Sequence, residues 1–411
     1  MLPFYGEHFG NASSIHHHGQ ETRGAIEHAR ESIAALLGCR ASEIVFTSGG
    51  TEADNLAIFG LAQPGDHLIT STIEHHAVLN ACKHLSKKGC DVTFVPVDSR
   101  GVVDPGEVQR AIRPNTKLIS IMLANNETGV LQPVEEIGKI AEADDVYFHT
   151  DAVQAAGKIP IDVNKIGCDM LTISGHKIHA PQGVGALYIR KGTRLDPMIH
   201  GGSHERSRRA GTENVPGIVG LGKAAELASS RPQNGSDQWS DGRPRPSTPS
   251  PSSEHEDRNE DRSHDYPRVS SSPTSTSKMA TLRDRLEREL LNIEATGLNG
   301  EGAPRVPNTT NIYFDGIEGE SLVIALDLKG LAVSTGAACS SGAIEPSHVL
   351  TAMALRPERA KASIRFSVGK QNSDEDVDFA LSVIPDTVAR LRKLSPVWSS
   401  AALGVGLGLP R

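Results

Sequence analysis

From residue 20 onward, short apolar runs alternate with amphipathic stretches, and no other feature of the chain limits its fold so strongly. "EIVF" (43–46) precedes the helix-like "TEADNLAIFGLA", and "HLIT" (67–70) precedes "AVLNACKHLSKKG". "TKLISIML" (116–123), "DVYFHT" (145–150) and "DMLTIS" (169–174) continue the series. Strands alternating with helices predict an α/β chain whose mostly parallel sheet is covered on both faces. Such sheets bind ligands beyond the carboxyl ends of their strands. Polar and Gly-rich segments come after the apolar runs here, in that position.

The order breaks near residue 229. Residues 229–278 are rich in Ser, Pro, Asp and Arg and nearly free of aliphatic side chains. A segment of that kind cannot bury enough apolar surface to offset its ordering entropy. It reads as a disordered insertion between a large domain, 1–228, and a smaller α+β domain, 279–397, with 398–411 as a frayed tail. In the smaller domain a helix pattern, "ATLRDRLERELL", is followed by "TTNIYFDG", "GESLVIALDLKG" and "ASIRFSVG".

Charge and cysteine usage exclude several function classes. The 411 residues carry a formal net charge of −8, which gives no electrostatic reason to expect nucleic acid as a partner. No apolar run approaches the roughly 20 residues that cross a bilayer. The start, "MLPFYGEHFGNASSIHHHGQ", lacks the basic-then-apolar order of a secretory leader. Cys39, Cys82, Cys90, Cys168 and Cys339 form no CxxC pair. That argues for free thiols in a reducing interior and against a structural zinc site. The expectation is a soluble, cytoplasmic protein with no membrane partner.

Several strand-end loops hold polar side chains, each with a plain and a chemical reading. "VFTSGGTEADN" sets Gly49, Gly50 and Thr51 between a strand and a helix start, where backbone N–H groups can meet an anion; a turn with a cap explains it equally well. In "YFHTDAVQAAG", Asp151 either caps the next helix or holds a protonated ring nitrogen, with Gln154 just after. "LANNETGVLQP" offers Asn125, Asn126 and Glu127, although Asn is common in turns for local hydrogen bonding. "STIEHHAVL" offers His75 and His76; the trio His16 to His18 reads as surface.

Lys177, in "TISGHKIHAPQ", is the sharper case, because it sits against His176 where two apolar runs meet a turn. A desolvated lysine loses pKa and becomes a nucleophile toward carbonyls. The use that fits best is a covalent imine with pyridoxal 5′-phosphate. That cofactor needs a phosphate cradle, a carboxylate for its ring nitrogen, a partner for its phenolic oxygen and a residue against its face. The four loops supply one candidate for each. Cys339, in "STGAACSSGAIEPSHVL", lies among Gly, Ala and Ser, and reads as an exposed thiol on a mobile loop. Arg365, in "SIRFSVG", lies inside an apolar strand pattern. It answers either a substrate carboxylate or a structural salt bridge.

Taken in order, "TSGGTEADN", "EHHAVL", "ANNETGV", "HTDAVQAAGKIPIDV", "SGHKIHAPQGVGALY", "RRAGTEN", "ACSSGAIEPSHV" and "SIRFSV" resemble the cysteine desulfurases of the NifS/IscS type. These are class V aminotransferases of PLP fold type I. The resemblance spans about 1–397 outside the insertion. It implies a seven-stranded, mostly parallel sheet, a homodimer and a site in which Lys177 binds the cofactor covalently. Asp151 would pair with the pyridinium nitrogen, Gln154 with the phenolic oxygen, and His75 would stack on the ring and move protons. Gly50, Thr51, Ser174 and His176 would hold the phosphate, and Thr212 would reach the phosphate of the other subunit. Asn126 and Arg365 would grip the substrate carboxylate.

Cys339 would attack the sulfur of L-cysteine, carry it as a persulfide to a sulfur-acceptor protein such as an iron–sulfur scaffold, and serve as a transient iron–sulfur ligand. Family members also begin with a strand and a "DNNATT"-like segment for which this chain has no counterpart ahead of "LPFYGEHFGNASS". The same residues admit three rival readings: a selenocysteine lyase, a related class V aminotransferase, and a cofactor-binding scaffold impaired by its short start.

Overall fold

The computed structural model describes residues 1–229, 275–336, 346–396 and 398. Cys339, most of 229–278 and nearly all of 398–411 lie outside the described residues, and with them the expectations of a cysteine loop, a disordered insertion and a tail. Seven strands form the larger sheet: β1 (Ile44–Thr47), β2 (His67–Ser71), β3 (Asp91–Val95), β4 (Thr116–Ser120), β5 (Tyr147–Asp151), β6 (Met170–Ser174) and β7 (Gly185–Ile189). Their order is β1-β7-β6-β5-β4-β2-β3. Strands β2 to β6 pair in parallel, and β7 runs antiparallel to both β1 and β6. The expected mostly parallel sheet is present. Strand β3 is the one the sequence reading passes over; it is an edge strand, largely half-buried, with no continuous apolar run.

Successive strand residues point to opposite faces, and both faces here are apolar. Phe46, Ile69, Ile119, Leu171 and Tyr188 enter one core. Their chain neighbours Val45, Leu68, Leu118, Met170 and Leu187 enter the other. The first core is roofed by the helices His17–Leu37, Val134–Ala143 and Val215–Ser229, the second by Gly50–Phe59 and His76–Lys87. The helices His17–Leu37 and Val215–Ser229 approach so closely that a Cβ on Gly222 would collide with Ala29.

A buried ion pair ties the first long helix to the sheet. The Arg30 guanidinium donates to both Glu205 carboxylate oxygens at 2.8 Å, and both side chains are 4% exposed. Glu205 also accepts from the Phe46 amide at 2.9 Å, and Arg30 donates to the Ile44 carbonyl. Removing one partner of such a pair strands a buried charge, at about 3–5 kcal/mol. Glu205→Ala is therefore expected to lower unfolding stability by about that much, measured by denaturant titration.

The second sheet comprises β8 (Thr296–Leu298), β9 (Thr309–Phe314), β10 (Ser334–Thr335) and β11 (Ser363–Ser367), all antiparallel in the order β10-β11-β9-β8. Ile312, Phe314, Ile364 and Phe366 pack under the helices Ser275–Leu290, Gly319–Asp327 and Asp374–Leu394. The alternate residues Asn311 and Arg365 bond instead to the loop after β4. Period-two alternation thus makes one face of this sheet a core and the other a junction with the larger sheet.

Candidate active site

Five loops leave the larger sheet at strand ends, and the expected residues other than Thr212, Arg365 and Cys339 sit on them. After β1 the chain turns at Gly49 (φ 155°) into the helix Gly50–Phe59. Any residue with a side chain would be strained at that backbone angle. A Cβ on Gly50 would come within 3.0 Å of Val153 and 3.4 Å of Ser174. The ends of β1, β5 and β6 therefore converge, leaving exposed Thr51 and the first amides of a ten-residue helix beside buried Ser174. Ser174 Oγ and His176 Nδ1 share a hydrogen bond of 3.0 Å, although His176 itself is exposed.

Asp151 ends β5 and is 6% exposed. Its Oδ1 accepts from the Val153 amide at 2.8 Å. Burial pushes its carboxyl up to about 6, against the opposing pull of the Lys177 ammonium. Two further buried carboxyls lie near it. Burial takes Glu74 up to about 8, and Asp54 rises well above the carboxylate range through burial and the charge of Asp151. Like charges confined together cannot all ionise, so Asp151, nearest in effect to a cation, keeps the charge.

His75 caps the helix His76–Lys87, its Nδ1 accepting from the Ala77 amide at 3.1 Å. Acceptance at Nδ1 leaves the ring proton on Nε2. Burial, then His76, Lys177 and His348, take its pKa down to about 4, so the ring is neutral at neutral pH. Lys177 lies in the turn Gly175–Ile178 directly after β6, half-buried. Its charge helps lower the pKa values of His75, Asp151, His176 and Lys158.

Lys158, in "QAAGKIP", is not among the expected residues, although a lysine inside an apolar stretch is the signal that marks it. Its Nζ donates to the Gln154 carbonyl at 2.9 Å and to Gln154 Oε1 at 3.2 Å. Burial first, then Lys177 and Arg365, bring it down to about 8. With Oε1 so engaged, the Gln154 amide keeps Nε2 as the donor that a ligand oxygen can use.

The Asn pair after β4 divides into two duties. Asn125 is buried and structural: Oδ1 accepts from the Glu127 and Thr128 amides, and Nδ2 donates to the Ile73 carbonyl. Asn126 Oδ1 is buried with no hydrogen-bond partner among the described residues, an acceptor that burial makes costly to leave unmet and that a ligand donor can satisfy. Arg365 donates to the Asn126 carbonyl at 2.8 Å, and it forms no salt bridge among the described residues. The structural ion pair considered for it is not formed among the described residues, and the rest of its donor fork is available to an anion. Thr212 is exposed in the loop ahead of Val215–Ser229 and has no hydrogen bond to this cluster among the described residues. His16 caps the first long helix and His17 and His18 are exposed, as expected.

The comparisons with known proteins bear on the whole chain. The family model Aminotransferase class-V matches residues 1–239 and 271–379. The chain belongs to the class-V aminotransferase family. "Cysteine desulfurase IscS" of Methanosarcina thermophila is 49% identical over 97% of this chain and 89% of its own length. The protein of the same name from Dictyoglomus turgidum is 47% identical over 96% of this chain and 92% of its own. Among solved structures, one called "NIFS-LIKE PROTEIN" superposes with a TM-score of 0.78 at 36% identity, covering 95% of this chain and 94% of that one. Another, "SspA in complex with cysteine", gives 0.71 at 35%, covering 90% and 94%.

Class-V aminotransferases work with pyridoxal 5′-phosphate. The residues present fit that group. Asp151 is a buried carboxyl whose charge a ring cation would stabilise, and the convergence at Gly50 and Ser174 leaves helix amides and hydroxyls for a phosphate.

Proposed function

We propose that the chain is a pyridoxal-phosphate-dependent cysteine desulfurase that takes sulfur from L-cysteine and gives L-alanine. The observation that carries this reading is the placement of Asp151 at the end of β5 and of Lys177 in the turn after the adjacent β6, with His75 capping the helix after β2. The near-full-length identity to the desulfurases above supports the substrate.

When bound, pyridoxal phosphate supplies an aldehyde for an amine and a ring that withdraws electrons from Cα. Lys177 is the amine that would hold it and the base that would take the Cα proton. Asp151 keeps the ring nitrogen protonated. Gln154 would offer Nε2 to the cofactor's phenolic oxygen, and neutral His75 would supply a ring face and an Nε2 proton. Gly50, Thr51, Ser174 and His176 hold the phosphate, with Thr212 contributing across a homodimer. Asn126 and Arg365 bind the substrate carboxylate.

Cys339, as thiolate, attacks the cysteine sulfur. The S–Cβ bond breaks, the sulfur stays on Cys339 as a persulfide, and the carbon skeleton takes up protons to leave as alanine. Burial raises the thiols of Cys39, Cys82, Cys90 and Cys168, which suits them to packing rather than attack. The persulfide passes to an acceptor protein of iron–sulfur assembly, where Cys339 is also a transient cluster ligand. The reading includes a cytoplasmic location and two domains, 1–228 and 279–397. Among the described residues no helix is long and apolar enough to cross a membrane.

A spectrum of the purified protein before and after L-cysteine, with alanine assayed, tests the activity. A visible band that changes with cysteine, together with alanine, is expected. A band indifferent to cysteine favours the scaffold reading, and turnover of selenocysteine alone favours the lyase. Arg365→Leu removes a charged hydrogen-bond donor worth about 1.5–3 kcal/mol. Its expected effect is a rise of roughly 10- to 100-fold in the KM for L-cysteine, with the cofactor band unchanged.

A further inference from the structure

Lys158 is a half-buried cation to which the reading above gives no duty. Asp151 ends β5, and Gln154 and Lys158 lie in the turn that leaves it. In that turn the Ala152 carbonyl accepts from the Ala155 and Ala156 amides at 2.9 Å. The Ala155 carbonyl accepts from the Lys158 and Ile159 amides at 3.0 and 3.1 Å. Such winding sets residues four apart on one side, so Lys158 reaches back to Gln154. Its Nζ donates to the Gln154 carbonyl at 2.9 Å and to Oε1 at 3.2 Å, clasping the backbone and the side chain of one residue.

The turn is seated at both of its ends. A Cβ on Gly50, at the helix start assigned to the phosphate, would lie 3.0 Å from Val153 Cγ2, next to Gln154. Gly157, at φ 70°, closes against the turn that carries Lys177: a Cβ there would come within 2.9 Å of Ile178 Cγ2. The segment from Val153 to Lys158 thus packs against both the phosphate turn and the lysine turn. That leaves the Gln154 amide only one internal freedom that matters here, which of its two ends faces Lys158.

An ammonium donates and cannot accept. It pairs only with the oxygen of the amide, and turning the amide over would set the Nε2 protons against a cation. Burial, then the charges of Lys177 and Arg365, bring Lys158 down to about 8, which leaves it mostly protonated at neutral pH. We propose that Lys158 is a positioning residue: by holding Gln154 Oε1 it fixes Nε2 as the donor to the cofactor's phenolic oxygen, and so sets the proton affinity of the bound cofactor. The inference rests on the assignment of Gln154 above. A donor facing that oxygen favours its negative charge, so the pH at which the cofactor band titrates falls.

The test follows the visible band of the full-length holoenzyme against pH in a double-mutant cycle of Lys158→Met and Gln154→Leu. Each single variant is expected to raise the midpoint by about one pH unit, the scale of one hydrogen bond to a charged oxygen. The double variant should go no further than Gln154→Leu alone, and Lys158→Arg, which keeps a cationic donor, should keep the wild-type midpoint. A wild-type midpoint in Lys158→Met would overturn the proposal, whatever the variant's stability. So would a Lys158→Met shift that persists undiminished beside Gln154→Leu, since a bare charge effect does not pass through the amide. Should Lys158→Met lose its cofactor band, Lys158→Gln, whose own amide can face either end of Gln154, decides by the same cycle. If Gln154→Leu alone left the midpoint unchanged, the assignment of Gln154 would fail instead, which separates the two outcomes.

Discussion

Replacing Lys177 by alanine is expected to lower desulfurase turnover by about a thousandfold or more, within the range for loss of a positioned acid–base group. The side chain has two duties in the proposed reaction, anchoring the cofactor and moving the Cα proton, and no neighbour can assume both. Lys158 is the one to consider, since burial and the charges of Lys177 and Arg365 bring it down to about 8. Its Nζ, however, is committed to Gln154 through two hydrogen bonds. Lys177→Ala purified with pyridoxal phosphate should lack the covalent label that borohydride leaves on the wild-type peptide 169–190. A label found on another peptide of the wild-type protein, Lys158 included, would remove the foundation of the site.

Cys339→Ala carries the second large effect. Sulfide and persulfide formation from L-cysteine should fall by about a thousandfold or more, as happens when an enzyme loses its nucleophile. The visible cofactor band should remain, because every residue assigned to the cofactor lies outside the Cys339 stretch. Alanine and sulfide assays on the variant, run beside its spectrum, check both halves. Turnover at the wild-type rate would return Cys339 to an ordinary surface thiol. Substituting Cys82 or Cys168 offers a contrast: both are buried with raised thiol pKa values, so their loss should alter stability rather than sulfur chemistry.

Much of the candidate site is legible in the chain because most of its residues belong to a local strand-to-turn step. Asp151, Ser174 and Gly50 stand where an apolar run ends, and a parallel sheet brings such ends together. Asn125 illustrates the opposite outcome: the ordinary turn role weighed against it is the one it has, through three hydrogen bonds inside its own loop. Arg365 leans on a backbone carbonyl with one nitrogen, which leaves its remaining donors for the anion that its place in an apolar strand suggests. The features that escaped the sequence are long-range. Glu205 and Arg30 are far apart in the chain, and nothing local marks either as half of a buried pair. Glu127 was visible only as a polar turn residue, because Ser347 and Gly336 reach it from a distant part of the chain.

Two kinds of information therefore divide this protein. The alternation of apolar runs with helical stretches determined the sheet and its covering, since side-chain periodicity is a property of neighbouring residues. The residues able to do chemistry were likewise fixed by type and by position at strand ends. Only the tertiary structure decided the strand order, the reversal of β7, which of the buried carboxyls keeps its charge, and which oxygen meets Ser347. Those depend on desolvation and on contacts between segments distant in sequence, and the free energies that select among them exist only once the chain has closed around the groups concerned.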